Sequence, residues 1–246
     1  MKPFRHGALG LAMAGMLVFS MLVPNGAGFQ DPYLARIMFT HVPCAMICSV
    51  LFLISAWHGV ALLRSYNDSS AAKMHAAAEL ASIFAALTMV TGMMFSQVQW
   101  GAFWHNDPRQ VSFLVVLFIY GGMIALRGAY ADQIRRDRNT AWYAVGAILP
   151  ALFFTFIYPR LKFVEQQSLH PTNTIVQNQL DIHYKIGLYG SLAVLAWLTA
   201  EFFRLRTQTE LQARFIEDYG NNQIGGRDPA RAGVVRPVAL SPVDRD

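Results

Sequence analysis

The sequence predicts an all-α, polytopic integral membrane protein with about six transmembrane helices, and three observations predict it. Hydrophobic residues make up 54 % of the 246-residue chain against 14 % charged, whereas a soluble domain carries roughly a quarter charged residues. The charges fall in short clusters between long apolar runs. Six of those runs approach the roughly 20 residues that a helix needs to cross a hydrocarbon core of about 30 Å.

In chain order the runs cover residues 7–23, 42–63, 76–98, 111–130, 141–158 and 184–203. Backbone N–H and C=O groups in lipid must find partners inside their own segment, so each run is expected to be a helix. No alternation of polar and apolar residues suggests a barrel. The first run, with Gly26, Ala27 and Gly28 after it, also has the look of a signal peptide. Cleavage there would start the chain at the second run with reversed polarity, so a retained helix is expected. Residues 1–206 then form one membrane domain. Residues 207–246 are polar, with Gly225-Gly226 and scattered prolines. They are expected to be a largely disordered tail after a short amphipathic extension of the last helix.

Lys and Arg set the expected orientation. One set of loops holds Lys2 and Arg5, then Arg64 and Lys73, then Arg127, Arg135, Arg136 and Arg138, then Arg204, Arg206 and Arg214. The other holds only Arg36, then Arg109, then Arg160 and Lys162. The richer set is expected on the cytoplasmic side, which puts both termini there. The outer loops, 25–41, 99–110 and 159–183, would face the periplasm of a Gram-negative cell.

Several function classes are excluded. The net charge of +5 and the pI near 9.4 do not imply nucleic acid, because the cations form no stripe with interleaved aromatics. Cys44 and Cys48 lie one helical turn apart inside an apolar run, a position for buried small hydrophobes and not for a disulfide or a zinc site. No CxxCH motif occurs, so any haem is not attached covalently in the c-type manner.

The unusual residues collect in the outer loops. The first ends in Thr40-His41-Val42-Pro43. The second reads Trp100-Gly101-Ala102-Phe103-Trp104-His105-Asn106-Asp107-Pro108-Arg109, and the third contains Ser168-Leu169-His170-Pro171-Thr172. Haem needs axial imidazoles for its iron, apolar and aromatic surface for its macrocycle, and cations for its propionates. Arg109, with Arg36 or Arg160, is the candidate for the last role. The residues alone fit a quinone or a partner protein as well, and interfacial Trp and Tyr belts are common. Elsewhere His6 and His75 are expected to be solvated on the cytoplasmic side, and His58 to be packed in the second helix. His105 and His183 are spare ligand candidates, and Glu79 is expected to reach the cytoplasmic interface.

These motifs resemble the haem exporter protein C (CcmC) family of cytochrome c biogenesis and its tryptophan-rich "WWD" segment. That segment is approximately WGxxWxWDxRLTSxLVLxxLY. Residues 100–120 read WGAFWHNDPRQVSFLVVLFIY and align without a gap. Trp100, Gly101, Trp104, Asp107, Arg109, Ser112 and Tyr120 match, the HVP at 41–43 is similar to the family's first histidine motif, and the LHPT at 169–172 to its second. The likeness covers about residues 37–203. Asn106 and Phe103 stand where the family has tryptophans, and Gln110-Val111 replaces Leu-Thr, so the platform keeps fewer indoles.

The resemblance implies non-covalent, b-type haem bound on the outer side of the inner membrane. His41 and His170 would be its axial ligands and the loop of Trp100, Trp104, Asp107 and Arg109 its platform. It implies presentation of haem to the chaperone CcmE, with the ABC-type complex CcmA/CcmB and the small protein CcmD nearby, and no bond-making by this chain itself. No nucleotide motif occurs, so any use of ATP falls to a partner. The rival readings are a haem-attaching synthetase, whose chains are commonly longer, and a haem-free assembly scaffold.

Overall fold

The computed structural model describes residues 2–26, 29–170 and 180–225, and among these residues it contains helices and no strand. Six segments are long and apolar enough to cross a membrane. They are built on α1 (Lys2–Leu22), α2 (Met38–Arg64), α3 (Asp68–Trp100), α4 (Pro108–Gly128), α5 (Gln133–Leu152) and α7 (Ile182–Gly225). A 3-10 turn, Pro32–Ile37, feeds α2. A π turn, Phe153–Ile157, and a 3-10 turn, Tyr158–Arg160, prolong α5 beyond Pro150, whose ring removes one helical hydrogen bond. The four-residue α6 (Lys162–Glu165) lies in the last outer connection.

Local chemistry sets the helix ends. Asn67 accepts from the Ser70 N–H at 2.7 Å to start α3, and Asp132 accepts from the Arg135 N–H at 2.7 Å to start α5. Gly101, at φ +84°, closes α3 in the left-handed region, where a side chain would be strained.

The packing is what a lipid solvent asks for. Large apolar side chains face outward, with Trp57, Phe118 and Leu149 being 72 %, 70 % and 74 % exposed. The interior is built from small residues. Ala71, Ala72, Ala76, Ala77 and Ala81 of α3 are fully buried, which lets α2 lie close along α3. The Ser55 hydroxyl donates to the Met74 carbonyl across that seam at 3.0 Å. Cys44 and Cys48 are free and buried there, as expected from their spacing. On its other sides α2 meets α5 and α7, and α1 rests on α7.

One end of the bundle is held by charge. Asp137 of α5 is fully buried and receives both terminal nitrogens of Arg214 from α7 and the His75 ring of α3 at 2.9 Å. The Tyr66 hydroxyl donates to it as well, at 3.0 Å, and burial pushes that phenol up to about 12. Glu79 of α3 binds Arg206 at 2.6 and 2.9 Å and Arg127 at 3.2 Å. Glu210 ties Arg127, Arg206 and Arg214 together, and Arg5 at the start of α1 joins Glu201. Five helices thus meet at the end where the sequence concentrates its cations.

This corrects the expectation for His75, which is 2 % exposed and not solvated. The physical reason is that α3 begins at Asp68, eight residues before the apolar run, so His75 sits within the helix and faces Asp137. His6 is exposed, as expected, and His58 is half-buried. Helix α7 also continues past the apolar run, with Thr207, Glu210 and Arg214 buried along it. Its 44 residues extend about 66 Å at 1.5 Å per residue, twice the hydrocarbon thickness. Residues 226–246 of the expected tail, and Ala27 and Gly28 of the signal-like stretch, lie outside the described residues.

Removing one member of a buried ion pair leaves the other without compensation and costs about 3–5 kcal/mol. Asp137→Ala is therefore expected to lower the thermal midpoint of the purified protein in detergent strongly. Arg138→Ala, at an exposed site on the same helix, should change stability by about 0.5 kcal/mol or less. Equal midpoints for the two variants would show that the network holds nothing.

Candidate functional site

The three histidine and tryptophan motifs meet at the opposite end. His41 lies in the first turn of α2, and its Nδ1 is 3.0 Å from the Thr91 hydroxyl of α3. Gly92 follows, where even a Cβ would come within 3.1 Å of the His41 ring. The start of α2 is fixed by Phe39, whose ring packs on Tyr184 at 5.4 Å and fills the space left by Gly187 of α7. The Tyr184 hydroxyl donates to the Pro24 carbonyl at 2.9 Å, tying the end of α1 to the same corner.

His170 comes to His41 from the far end of the sequence. The two ring centres are 6.4 Å apart and the ring planes are within 29° of each other. Asp107 explains how a loop residue is held there. This carboxylate is 4 % exposed, and its Oδ2 accepts from the Ser168 hydroxyl at 3.0 Å and the Leu169 N–H at 2.7 Å. Ser168 in turn accepts from the His170 N–H at 3.2 Å. The other oxygen, Oδ1, caps α4 through the Arg109 N–H at 2.8 Å. One carboxylate therefore joins the aromatic loop to the segment that carries His170.

The aromatic loop forms a row of edge-to-face contacts, Phe29 to Phe95 at 6.2 Å, Phe95 to Trp100 at 5.2 Å, and Trp100 to His105 at 6.1 Å. Trp104 is tied within the loop, its indole N–H donating to Asn106 at 2.7 Å. Asn106 has φ +51°, a conformation that Asn tolerates better than most side chains. Arg109 keeps buried Nε and Nη2 donors that no described residue accepts from.

Arg36 and Arg160, the other two candidates for the propionates, are engaged. Arg36 donates to the Ser20 and Val23 carbonyls at the end of α1, both at 2.7 Å, and lies over the Tyr33 ring. Arg160 donates to the Phe156 carbonyl at 2.8 Å. His183 is half-exposed and bonded to Asp181 at 2.7 Å. Pro171 and Thr172 of the third loop lie outside the described residues.

Sequence reasoning missed Thr91 and Ser168. A Thr inside an apolar run and a Ser in a polar loop carry no pattern of their own, and only their contacts single them out. Among the described residues no group of three or more His, Cys, Asp and Glu side chains gathers as a metal cage. The imidazole pair brings two candidate ligands of one metal close together. Two imidazoles on one metal, through bonds of about 2 Å, hold their ring centres roughly 6 Å apart. The observed 6.4 Å fits that demand, and the unengaged Arg109 donors fit a carboxylate.

A family model described as CcmC, Heme exporter protein C, matches residues 2–218. Heme exporter protein C of Paracoccus denitrificans is 26 % identical over 85 % of this chain and 85 % of its own length. Its Escherichia coli K12 counterpart is 28 % identical over 77 % of this chain and 79 % of its own. A putative cytochrome c biosynthesis ccmC-like mitochondrial protein of Marchantia polymorpha is 26 % identical over 80 % of this chain and 82 % of its own. With a match that spans six membrane-crossing helices and both histidine loops, the chain belongs to the Heme exporter protein C family.

Proposed function

We propose that this chain binds haem non-covalently, as a b-type complex, at the outer face of the bacterial inner membrane and presents it to the chaperone CcmE for cytochrome c maturation. The observation that carries the reading is the approach of His41, at the start of α2, and His170, from a loop distant in sequence, to 6.4 Å between ring centres. Each imidazole supplies one axial ligand, and two such ligands give a low-spin iron. Trp100 and Trp104 offer ring surface beside the macrocycle, Asp107 keeps His170 in register, and Arg109 meets a propionate. No bond to carbon is made by the protein. The alignment of family and fold supports CcmA/CcmB and CcmD as neighbours in the membrane.

Exchange with a chaperone favours ligands that sit on loops at the membrane surface and not inside the bundle. His170 meets this condition because its segment is anchored through Ser168 and Leu169 to a single carboxylate. A hold of that kind is firm while intact and loosens as one unit.

His41→Ala and His170→Ala should each open a coordination position, turning a low-spin visible spectrum into a high-spin one or losing haem on purification. Added imidazole should restore part of the low-spin signal, and the double variant should bind no haem. Asp107→Ala should weaken binding although both histidines remain, whereas His58→Ala should leave the spectrum unchanged. Retention of the wild-type spectrum in His41→Ala or His170→Ala would refute the ligand assignment.

The orientation belongs to the same proposal. The charged end of the bundle is cytoplasmic by the distribution of Lys and Arg, and both termini lie with it. Reporter fusions at Asp107 and at Arg136 should report opposite compartments. Finding both in one compartment would overturn the orientation and with it the outer placement of haem.

A further inference from the structure

We propose that Thr91 is a positioning residue that fixes the tautomer of His41, leaving the Nε2 lone pair as the one offered to iron. The proposal rests on the reading of His41 as a ligand, and it concerns which ring nitrogen binds.

The argument is a count of protons. A threonine hydroxyl has one hydrogen and two lone pairs. Thr91 Oγ1 lies 2.7 Å from the Leu87 carbonyl one turn earlier in α3, 3.2 Å from the Thr88 carbonyl, and 3.0 Å from His41 Nδ1. Carbonyl oxygens only accept, so the hydroxyl hydrogen is taken by the Leu87 side. The contact with His41 is then a hydrogen bond only if Nδ1 carries a hydrogen and donates it. The reverse assignment, with the hydroxyl donating to Nδ1, keeps one bond and forfeits the one to Leu87. Two bonds against one decide for Nδ1–H. A neutral imidazole protonated at Nδ1 has its lone pair at Nε2.

The surroundings restrict the ring further. Gly92 places its Cα edge against the Cε1 corner of His41, with only 3.1 Å to a Cβ built there and 3.7 Å from that position to Nδ1. The ring is therefore backed by α3 on the side of Thr91 and Gly92. Outer hydrogen bonds of this kind orient a ligating imidazole and raise its basicity, and their loss typically weakens metal binding about 10–100-fold.

The test uses the full chain in detergent, labelled with 15N-histidine and free of haem, at mildly alkaline pH where imidazole is neutral. The His41 signals, identified by their absence in His41→Ala, should show a protonated Nδ1 and a bare Nε2. Thr91→Val, close in shape but without the hydroxyl, should lose that preference, and Thr91→Ser should keep it. Loaded with haem, Thr91→Val should bind about tenfold more weakly or worse, with Thr91→Ser restoring the affinity. A wild-type His41 protonated at Nε2 would overturn the proposal, and that measurement stands even if Thr91→Val does not fold. Unchanged His41 nitrogen signals in a folded Thr91→Val would overturn it too. If His41→Ala retains haem, the ligand reading fails, while the nitrogen signals still report on the Thr91 bond by themselves.

Discussion

Asp137 has no solvent to stabilise its charge, and the helices at the charged end are arranged around that fact. A carboxylate in a bilayer-embedded bundle persists only with cations and hydrogen bonds close around it. Arg214, His75 and Tyr66 supply them from α7, from α3 and from the turn between α2 and α3. The same demand recurs at Glu79 and Glu210, so that α3, α4, α5 and α7 cannot slide past one another without exposing charge. Buried pairs of this kind add less stability than their number suggests, because desolvation offsets most of the attraction. What they do firmly is forbid the alternatives in which one partner is missing.

Fixing α7 at that end bears on the outer end. The helix is continuous from Ile182, so its start, where Tyr184 packs on Phe39, moves with its charged end. Phe39 lies two residues before His41. The outer end itself uses a different device. Asp107 binds loop backbone and a hydroxyl, and among the described residues no cation side chain hydrogen-bonds to it. The charged end is thus held by paired charges, while at the opposite end a carboxylate joins two loops. The contrast suits the proposed function, in which the helices are held constantly and haem briefly.

Much of this was legible in the residues. The six spans follow from run length and composition, and the segments bearing His41, Trp100 and His170 stood out because they gather histidines and indoles between the same alternate runs, in the order of the family's motifs. The exact helix limits did not follow. An apolar-run reading stops where charges begin, and α3, α5 and α7 carry on through Asp68–His75, Gln133–Thr140 and Thr207–Glu217. Their charges pair with each other across helices, which no single-segment pattern reveals. The burial of His75 escapes the sequence for that reason, as do the two arginines that Glu79 binds. The bond from Ser168 to Asp107 that holds the His170 segment joins residues 61 positions apart, and Thr91 meets His41 across 50. Spacing along the chain cannot register such contacts, although the order of the three motifs did point to a common site.

The central claim is that one iron is held between His41 and His170. Low-temperature electron paramagnetic resonance of the haem-loaded wild-type chain tests it directly, with 15N-histidine to mark the ligands. The account predicts a low-spin ferric signal with hyperfine coupling from two imidazole nitrogens. A high-spin, five-coordinate signal, or coupling to a single imidazole, would contradict it.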